Sequence, residues 1–413
     1  MIGEIIAIGD ELTCGRIVNS TSTLAARELF LAGHQVTAMH TVGDSTALIG
    51  EGLKQAIKAA DFVIVTGGLG PTTDDLTNEA VSAALHRPAT LNQELLARIR
   101  AQPWGDACQQ QSLEKLAWLP EGAEVLNTEA RMSGHVLVHD AVLIFFLPGV
   151  PGQAAKLLTE TVLPRLAAAR PGSSRTIQMR LYRTVGLSEC EINRHLAELE
   201  QEGRVVIGYY PVSGEVHVSV SVAGTDAEKI FLEADQKIRT ALGCWIYGTD
   251  QETLAETVGR LLRERNLTLA AAESCTGGLI SATITAVPGS SQWFVGGVVA
   301  YSNHLKEVLL KVDAELLRRC GAVSGQVAEA MAAGLAKQSG AEVAIAVTGI
   351  AGPSGGSAEK PVGTVYIGLF CGNKVSSLLH HFHGSRNEIQ EMTAAAALNA
   401  VRQKLEGRQT TPP

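Results

Sequence analysis

The 413-residue chain has no excess of positive charge, no closely spaced cysteines and no long apolar run, and each absence removes a class of function. Lys and Arg number 34 against 42 Asp and Glu, a formal net charge of −8, whereas binding to a phosphate backbone rests on clustered cations. A general polyanion binder is therefore excluded, though a local basic pocket for one phosphate is not. The seven cysteines (Cys14, Cys108, Cys190, Cys244, Cys275, Cys320 and Cys371) are odd in number and scattered, with no CxxC pair to form a zinc or redox centre. We read them as reduced thiols, most of them packing. The longest apolar runs, such as Ala141–Val150, fall short of the ~20 residues that a membrane-spanning helix needs. The opening MIGEIIAIGDEL carries acidic residues where a secretory signal carries basic ones. A cytoplasmic protein with no membrane partner is expected.

What is present suffices, at 46% hydrophobic and 18% charged residues, for two or three cores of ordinary size. Residues 1–170 alternate EIIAIG, a helical stretch near Ser20–Ala32, HQVTAMHTV, a second helical stretch near Thr46–Ala59, and DFVIVTGG. That order predicts βαβ units and a parallel sheet covered on both faces. RPGSSR, Arg170–Arg175, reads as a linker. Residues 175–246 give strand, helix, a hairpin-like pair, helix and a short strand, which is a small α+β unit with helices on one sheet face. Residues 250–407 return to α/β alternation. The expected fold is two α/β domains joined by a small α+β domain.

The third domain contains AAESCTGG, Ala271–Gly278, in which a serine and a cysteine adjoin at the end of a buried strand and just before a helix. Ligands bind α/β sheets at such strand ends. The free N–H groups of Cys275–Gly278 can hold an oxyanion, and Gly277 and Gly278 let a substrate approach the backbone. No histidine lies nearby in a GxSxG-type context, so the base proposed for Ser274 is Lys306 in YSNHLK, one turn into a helix that follows the strand VGGVVAYS. A desolvated lysine has a lowered pKa and can accept the serine proton, with Tyr301 as a proton-sharing neighbour. On local chemistry alone Ser274 also reads as an ordinary helix N-cap with Lys306 solvated. Cys275 reads as a small buried thiol more readily than as a nucleophile.

Six motifs in order, AESCTGG, PGSS, YSN with its lysine, GAVS, VTGIAGPSGGSAEKPVGTVYIG and the GSR of Gly384–Arg386, resemble the CinA C-terminal family of nicotinamide mononucleotide amidohydrolases over about 160 residues. The resemblance implies Ser274 as nucleophile, Lys306 as base, and substrate roles for Thr276, Gly277, Gly278, Ser291, Tyr301, Thr348, Gly349 and Arg386, with no cofactor for deamidation. The Arg386 guanidinium fork suits a 5′-phosphate, and the glycine-rich stretch from Gly349 can turn backbone N–H groups toward a nucleotide. Gln390 departs from the family, which often has a second arginine there.

VTGGLGPTTDDLT, Val65–Thr77, follows a buried strand but lacks the GK[ST] of a P-loop and does not fit GxGxxG. What remains is a glycine-rich loop for a phosphate beside Asp74 and Asp75, which suit a divalent cation or a helix cap. With GDELTCGRIVNS and LPGVPG, residues 1–170 resemble the CinA N-terminal domain, which is related to molybdopterin-binding proteins. That resemblance implies hydrolysis of ADP-ribose with a divalent metal and potassium. It assigns Asp10, Glu11, Asp74 and Asp75 to the metal, and Asn19, Gly67, Gly68, Gly70, Thr72 and Asn127 to the substrate. NTEARMSG, Asn127–Gly134, departs from the family's NPxGTAPG, with Arg131 and Met132 replacing small residues, so this activity is expected to be weak. The middle domain resembles the family's KH-like domain but has no GxxG and carries 8 Lys and Arg against 10 Asp and Glu. It reads as a spacer or dimerisation unit, not an RNA binder. The resemblance favours a homodimer acting on small nucleotides; the alternative is a non-catalytic nucleotide or nucleic-acid binding factor linked to competence or DNA damage. LHHFHG aligns His381 and His383 without further ligands, and SLEK, Ser112–Lys115, reads as an accidental SxxK.

Overall fold

The computed structural model describes residues 1–101, 112–126, 134–169, 177–212 and 214–408. These form two compact units, Met1–Gln178 with Ala223–Ala227, and Met179–Val222 with Glu228–Pro413. In the first, strands β1 (Ile2–Ile8), β2 (Gln35–Val42), β3 (Phe62–Thr66), β4 (Glu124–Val125), β5 (His135–His139) and β6 (Val142–Leu147) make one sheet in the order β2-β1-β3-β6-β5-β4. Alternate residues of its apolar strands feed two cores. Ile5, Phe62, Ile64 and Phe145 pack under helix α1 (Ser20–Leu31), whereas Ile6, Val63, Val65 and Phe146 pack under α2 (Thr46–Ala59) and α3 (Thr77–Ala84). Four strands are parallel, as expected, but β5 and β4 run antiparallel at one edge. The tight turn at Asp140 and Ala141, both with positive φ, reverses the chain there and leaves no room for a crossover helix.

The second unit contains two sheets. Strands β7 (Ile177–Val185), β8 (Val206–Val212), β9 (Glu215–Ala223) and β10 (Ile246–Thr249) order as β8-β9-β7-β10. The apolar stripes of α4 (Glu189–Gln201) and α5 (Ala227–Leu242) cover Tyr182, Val216, Val218 and Val220. The other sheet holds β11 (Leu269–Glu273), β12 (Phe294–Val299), β13 (Val343–Gly349), β14 (Thr364–Cys371) and β15 (Lys374–His381), ordered β12-β11-β13-β14-β15. The first three are parallel, and β14 and β15 are antiparallel.

Around this sheet stand helices α6 (Leu254–Glu264), α7 (Leu279–Thr285), α8 (Asn303–Leu310), α9 (Gly325–Ser339) and α10 (Arg386–Leu405). One face of β11 and β13 offers only Ala270, Ala272, Ala344 and Ala346 to the α9 side, so that helix packs close. The other face, with Leu269, Ile345 and Val347, meets α6 and α10. Val185 and Tyr247 of the four-stranded sheet share that second core. Buried Arg402 of α10 donates to the carbonyls of Cys244 and Ile246, which ties the two sheets into one unit. Among the described residues no helix is long and apolar enough to cross a membrane.

Candidate functional site

Ser274 follows β11 directly, at the C-terminal edge of the parallel strands. The expected helix starts at Leu279, four residues later than the sequence reading placed it, and Cys275–Gly278 form a turn. The cause is Glu273, the last residue of β11, which is fully buried. One carboxylate oxygen accepts from the Thr276 hydroxyl and from the Gly278 and Ile280 N–H groups at 2.7, 2.9 and 3.1 Å. The other accepts from the Ser281 N–H and hydroxyl at 2.8 and 2.7 Å. A charge at the positive end of α7 with all those donors replaces the usual N-cap. It also takes the Gly278 N–H from the expected oxyanion group, and the Gly277 N–H goes to Ser274 O at 3.3 Å. Of the expected group, the N–H groups of Cys275 and Thr276 are the candidates that remain. Gly277, at φ 64°, faces open space, so the turn is accessible from solvent.

Lys306 lies in α8, as expected, but it is not solvated: only 1% of it is exposed. Its Nζ sits 2.9 Å from Ser274 Oγ, 2.8 Å from Ala300 O and 3.2 Å from Tyr301 O. No carboxylate among the described residues pairs with it. Burial pushes its pKa below the ordinary lysine value. Three oxygens thus surround the amine; when it is neutral, its two hydrogens suffice for the carbonyls and its lone pair is free for the serine hydroxyl. The helix-cap reading of Ser274 fails on this geometry. Cys275 is buried, and burial pushes its thiol up to about 12, which leaves no thiolate.

Across the turn, Arg386 at the start of α10 donates to Gly352 O at 2.8 Å and to the Tyr301 hydroxyl at 3.0 Å. Tyr301 therefore touches the dyad through its carbonyl and the arginine through its ring. Gln390, one turn further, donates to Cys275 O at 2.7 Å. The residue that departs from the family thus braces the serine turn. Three expected substrate residues stand otherwise. Thr348 is buried and its hydroxyl donates to Ala322 O at 2.8 Å. Gly349 is required by packing, since a Cβ there would meet Val365 Cγ2 at 2.7 Å. Ser291 precedes β12, whose first residue pairs with Leu269 at the start of β11. Within one chain it therefore lies at the opposite edge of the sheet from Ser274, ~16 Å along the strands. The PGSS motif carried no positional signal that could have shown this. Glu273 was legible in principle as a charge ending an otherwise apolar strand, and Gln390 only as a departure.

In the first unit a cavity of about 500 Å³ is lined by Glu11, Asn19, Gly67, Gly68, Gly70, Asp74 and Asp75, all expected, together with Asp44, which the sequence reading missed. Asp10 and Thr72 do not line it. Asp10 exchanges bonds with Asp44: the Asp44 N–H donates to Asp10 at 3.1 Å and the Asp10 N–H to Asp44 at 2.8 Å. Burial raises the Asp44 pKa; the Asp10 N–H opposes this, and the Asp10, Glu11 and Asp74 charges add to it. The Thr72 N–H and hydroxyl both donate to Asp75, and Asn19 caps α1 through the Ser22 N–H at 3.1 Å. Lys115 of the discounted SLEK stretch donates to the Thr72 and Asp75 carbonyls at 2.9 and 2.7 Å, clamping the loop. Among the described residues no three His, Cys, Asp or Glu side chains are close enough to hold a metal ion. The donor chemistry of Asp10, Glu11, Asp74 and Asp75 suits a hard cation, but their arrangement does not fit one. Asn127, Arg131 and Met132 lie outside the described residues. His381 and His383 belong to no such group either.

Comparison with known proteins agrees with this layout. Residues 4–168 match the family description "Probable molybdopterin binding domain", 179–248 "Damage-inducible protein CinA KH domain", and 251–405 "CinA C-terminal domain". A CinA-like protein of Desulfotalea psychrophila is 49% identical over 97% of this chain and 98% of its own length. Another from Geotalea daltonii is 40% identical over 99% and 100%. Among solved structures, a CinA superfamily protein of Klebsiella pneumoniae is 33% identical, covers 37% of this chain and 96% of its own, and has a TM-score of 0.37. The competence/damage inducible protein of Agrobacterium tumefaciens is 43% identical over 35% of this chain and 89% of its own, with a TM-score of 0.34. Three domain signatures in the expected order, and relatives similar from end to end, establish that the chain belongs to the CinA family.

Proposed function

We propose that the second unit is an amidohydrolase that converts nicotinamide mononucleotide to nicotinate mononucleotide and ammonia. The observation that carries the reading is the 2.9 Å contact between Ser274 Oγ and a buried lysine that has no counter-ion among the described residues. Ser274 Oγ attacks the carboxamide carbon as Lys306 takes its proton. The carbonyl oxygen becomes an oxyanion, which the Cys275 and Thr276 N–H groups receive. The C–N bond then breaks, Lys306 returns the proton to the departing nitrogen, and ammonia leaves. Water, deprotonated by the same amine, attacks the resulting ester; the carboxylate product leaves, and the proton goes back to Ser274. Arg386, steadied by Tyr301 and Gly352, offers its remaining N–H groups to the 5′-phosphate. Ser274, Lys306 and the attacking water account for every proton transfer, so this scheme calls for no cofactor. The test is ammonia release from nicotinamide mononucleotide by the full chain, with Ser274→Ala as control. No ammonia from the wild type, or equal release from the variant, overturns the assignment.

A second reading assigns ADP-ribose hydrolysis, with a divalent cation and potassium, to the first unit. The cavity that gathers Gly67, Gly68, Gly70, Asp74 and Asp75 supports a nucleotide there, while the lack of three converging ligands among the described residues speaks against metal chemistry. It therefore ranks below deamidation. If the first unit hydrolyses ADP-ribose through a metal, a chelator stops AMP formation and leaves ammonia release unchanged; a chelator-sensitive deamidase would break the separation. The KH-like portion is assigned to spacing or dimerisation, and the protein to the cytoplasm.

A further inference from the structure

The connection 350–363 joins β13 to β14 and leaves the sheet at the edge where Ser274 sits, since the Ser274 N–H donates to Val347 O at 3.1 Å just before β13 ends. Long connections without secondary structure of their own are uncommon and are usually functional. This one is closed at its base, where the Ile350 N–H donates to Thr364 O at 2.9 Å and the Gly363 N–H to Ile350 O at 2.7 Å. Its middle, 353–359, is exposed. Two long side chains hold it further out. Arg386 donates to Gly352 O at 2.8 Å, and Lys360 reaches away from the loop, its Nζ donating to Val323 O at 2.6 Å and to Cys320 O at 3.2 Å. Those carbonyls belong to the GAVS turn and to the end of the helix Ala314–Cys320 before it, and a cation is favourable at a helix C-terminus. In the same turn the Ser324 hydroxyl donates to Gly321 O at 2.9 Å and the Thr348 hydroxyl to Ala322 O at 2.8 Å, so four consecutive carbonyls are held by three side chains. Thr348 and Lys360 therefore grip one turn from the two ends of one connection. From Lys360 to Arg386 the link is packing. Val362 lies against Gly352, where a φ of 76° and a Cβ that would stand 2.6 Å from Val362 Cγ1 together require glycine.

We propose that Lys360 is a positioning residue for the phosphate end of the substrate: its ammonium pins the connection to the GAVS turn, and the pinned loop presents Gly352 O as a fixed anchor for Arg386. The inference rests on the amidohydrolase reading and on Arg386 as the phosphate partner. An arginine side chain loses rotamer freedom when it binds an anion. One already held by Gly352 O and the Tyr301 hydroxyl has lost part of that freedom in the free protein, so binding is tighter. The bonds of Lys360 go to the GAVS turn and not to Ser274 or Lys306. Its loss should therefore act on binding and not on the chemical step.

The test uses the full chain and two readouts: ammonia release from nicotinamide mononucleotide, and the Kd of nicotinate mononucleotide by calorimetry, which needs no turnover. Lys360→Met should raise KM and Kd about 5- to 10-fold and keep kcat within about twofold. Lys360→Arg still donates to carbonyls and should return both constants to within about twofold of wild type. A merely structural role would add to any other loss, whereas a lysine that acts through Arg386 does not. Lys360→Met in the Arg386→Met background should therefore leave KM and Kd where Arg386→Met alone puts them. Should Lys360→Met fail to fold by circular dichroism, Lys360→Gln, whose shorter uncharged head weakens both bonds, replaces it in the same comparisons. Wild-type KM and Kd in the folded variant, a loss confined to kcat, or additive losses in the double variant overturn the proposal alone. A wild type that binds nicotinate mononucleotide without releasing ammonia removes the amidohydrolase reading and leaves Kd to decide Lys360. One that does neither overturns both.

Discussion

Lys306 gives the sharpest test of the dyad. Its Nζ is enclosed by Ser274 Oγ, Ala300 O and Tyr301 O at 2.9, 2.8 and 3.2 Å, so an arginine head is too large for the site and too basic to accept a proton. Loss of a positioned base costs about 10²- to 10⁴-fold in rate, equivalent to roughly 2.7–5.4 kcal/mol of barrier. Lys306→Arg and the better-fitting Lys306→Met should both show this loss in kcat for ammonia release. The acid limb of wild-type kcat/KM should rise tenfold per pH unit and level off below the ordinary lysine range, since burial lowers this pKa. Stability follows the same titration. Between the lowered native pKa and the unfolded value, about 10.4, the unfolded chain binds more protons than the native one. Stability therefore rises with pH through that window, by at most ~1.4 kcal/mol per unit, and is lost as pH falls through it. Denaturation of wild type and Lys306→Met across pH should show this slope in the wild type alone. An arginine variant within tenfold of wild-type kcat, or an acid limb that survives in Lys306→Met, would refute the base assignment.

Arg386→Met should raise KM for nicotinamide mononucleotide about 10- to 100-fold, the worth of a charge-assisted bond. It should leave turnover of the unphosphorylated nucleoside unchanged, and an equal loss on both substrates would remove the phosphate role. Glu273→Gln replaces an acceptor of several buried donors by an amide, and should cost about 3 kcal/mol of unit stability and lower kcat. Unchanged thermal melting would show that the turn does not depend on the charge. Ser274→Ala should abolish deamidation with the fold intact, whereas Cys275→Ala, which loses one buried thiol, should keep most of it; the reverse pattern would make cysteine the nucleophile.

The position of Ser274 was legible because the apolar run before it can only be a buried strand, and parallel strands deliver their C-terminal ends to ligands. Lys306 was legible for the same reason one crossover later. What periodicity could not give is the allocation of donors. Glu273 reads as part of a motif, yet its carboxylate takes the Gly278, Ile280 and Ser281 N–H groups, which delays the helix and removes the Gly278 N–H from the proposed oxyanion group. Gln390 reads as a loss of charge but serves as a brace. Gly67 reads as a phosphate-loop glycine, although a Cβ there would stand 2.2 Å from Ile8 O, so the sheet alone requires it. Both uses leave the same letter in the sequence.

The same distinction separates the two units. In the first, the acidic residues are largely absorbed by their own loops: Asp10 and Asp44 cap each other, and Asp75 is held by Thr72. Such bonds close turns, and they are what a chain needs whether or not a nucleotide arrives. In the second, an amine is buried against a serine hydroxyl with no carboxylate pairing with it among the described residues. Burial lowers the pKa of that amine, so the native site holds the proton less firmly than the unfolded chain, and the arrangement costs stability below the lowered pKa. A fold that keeps such an amine beside a serine hydroxyl, and steadies the turn from Glu273 and Gln390, is what the proposed chemistry at Ser274 requires. The weight of the functional assignment therefore rests on the second unit.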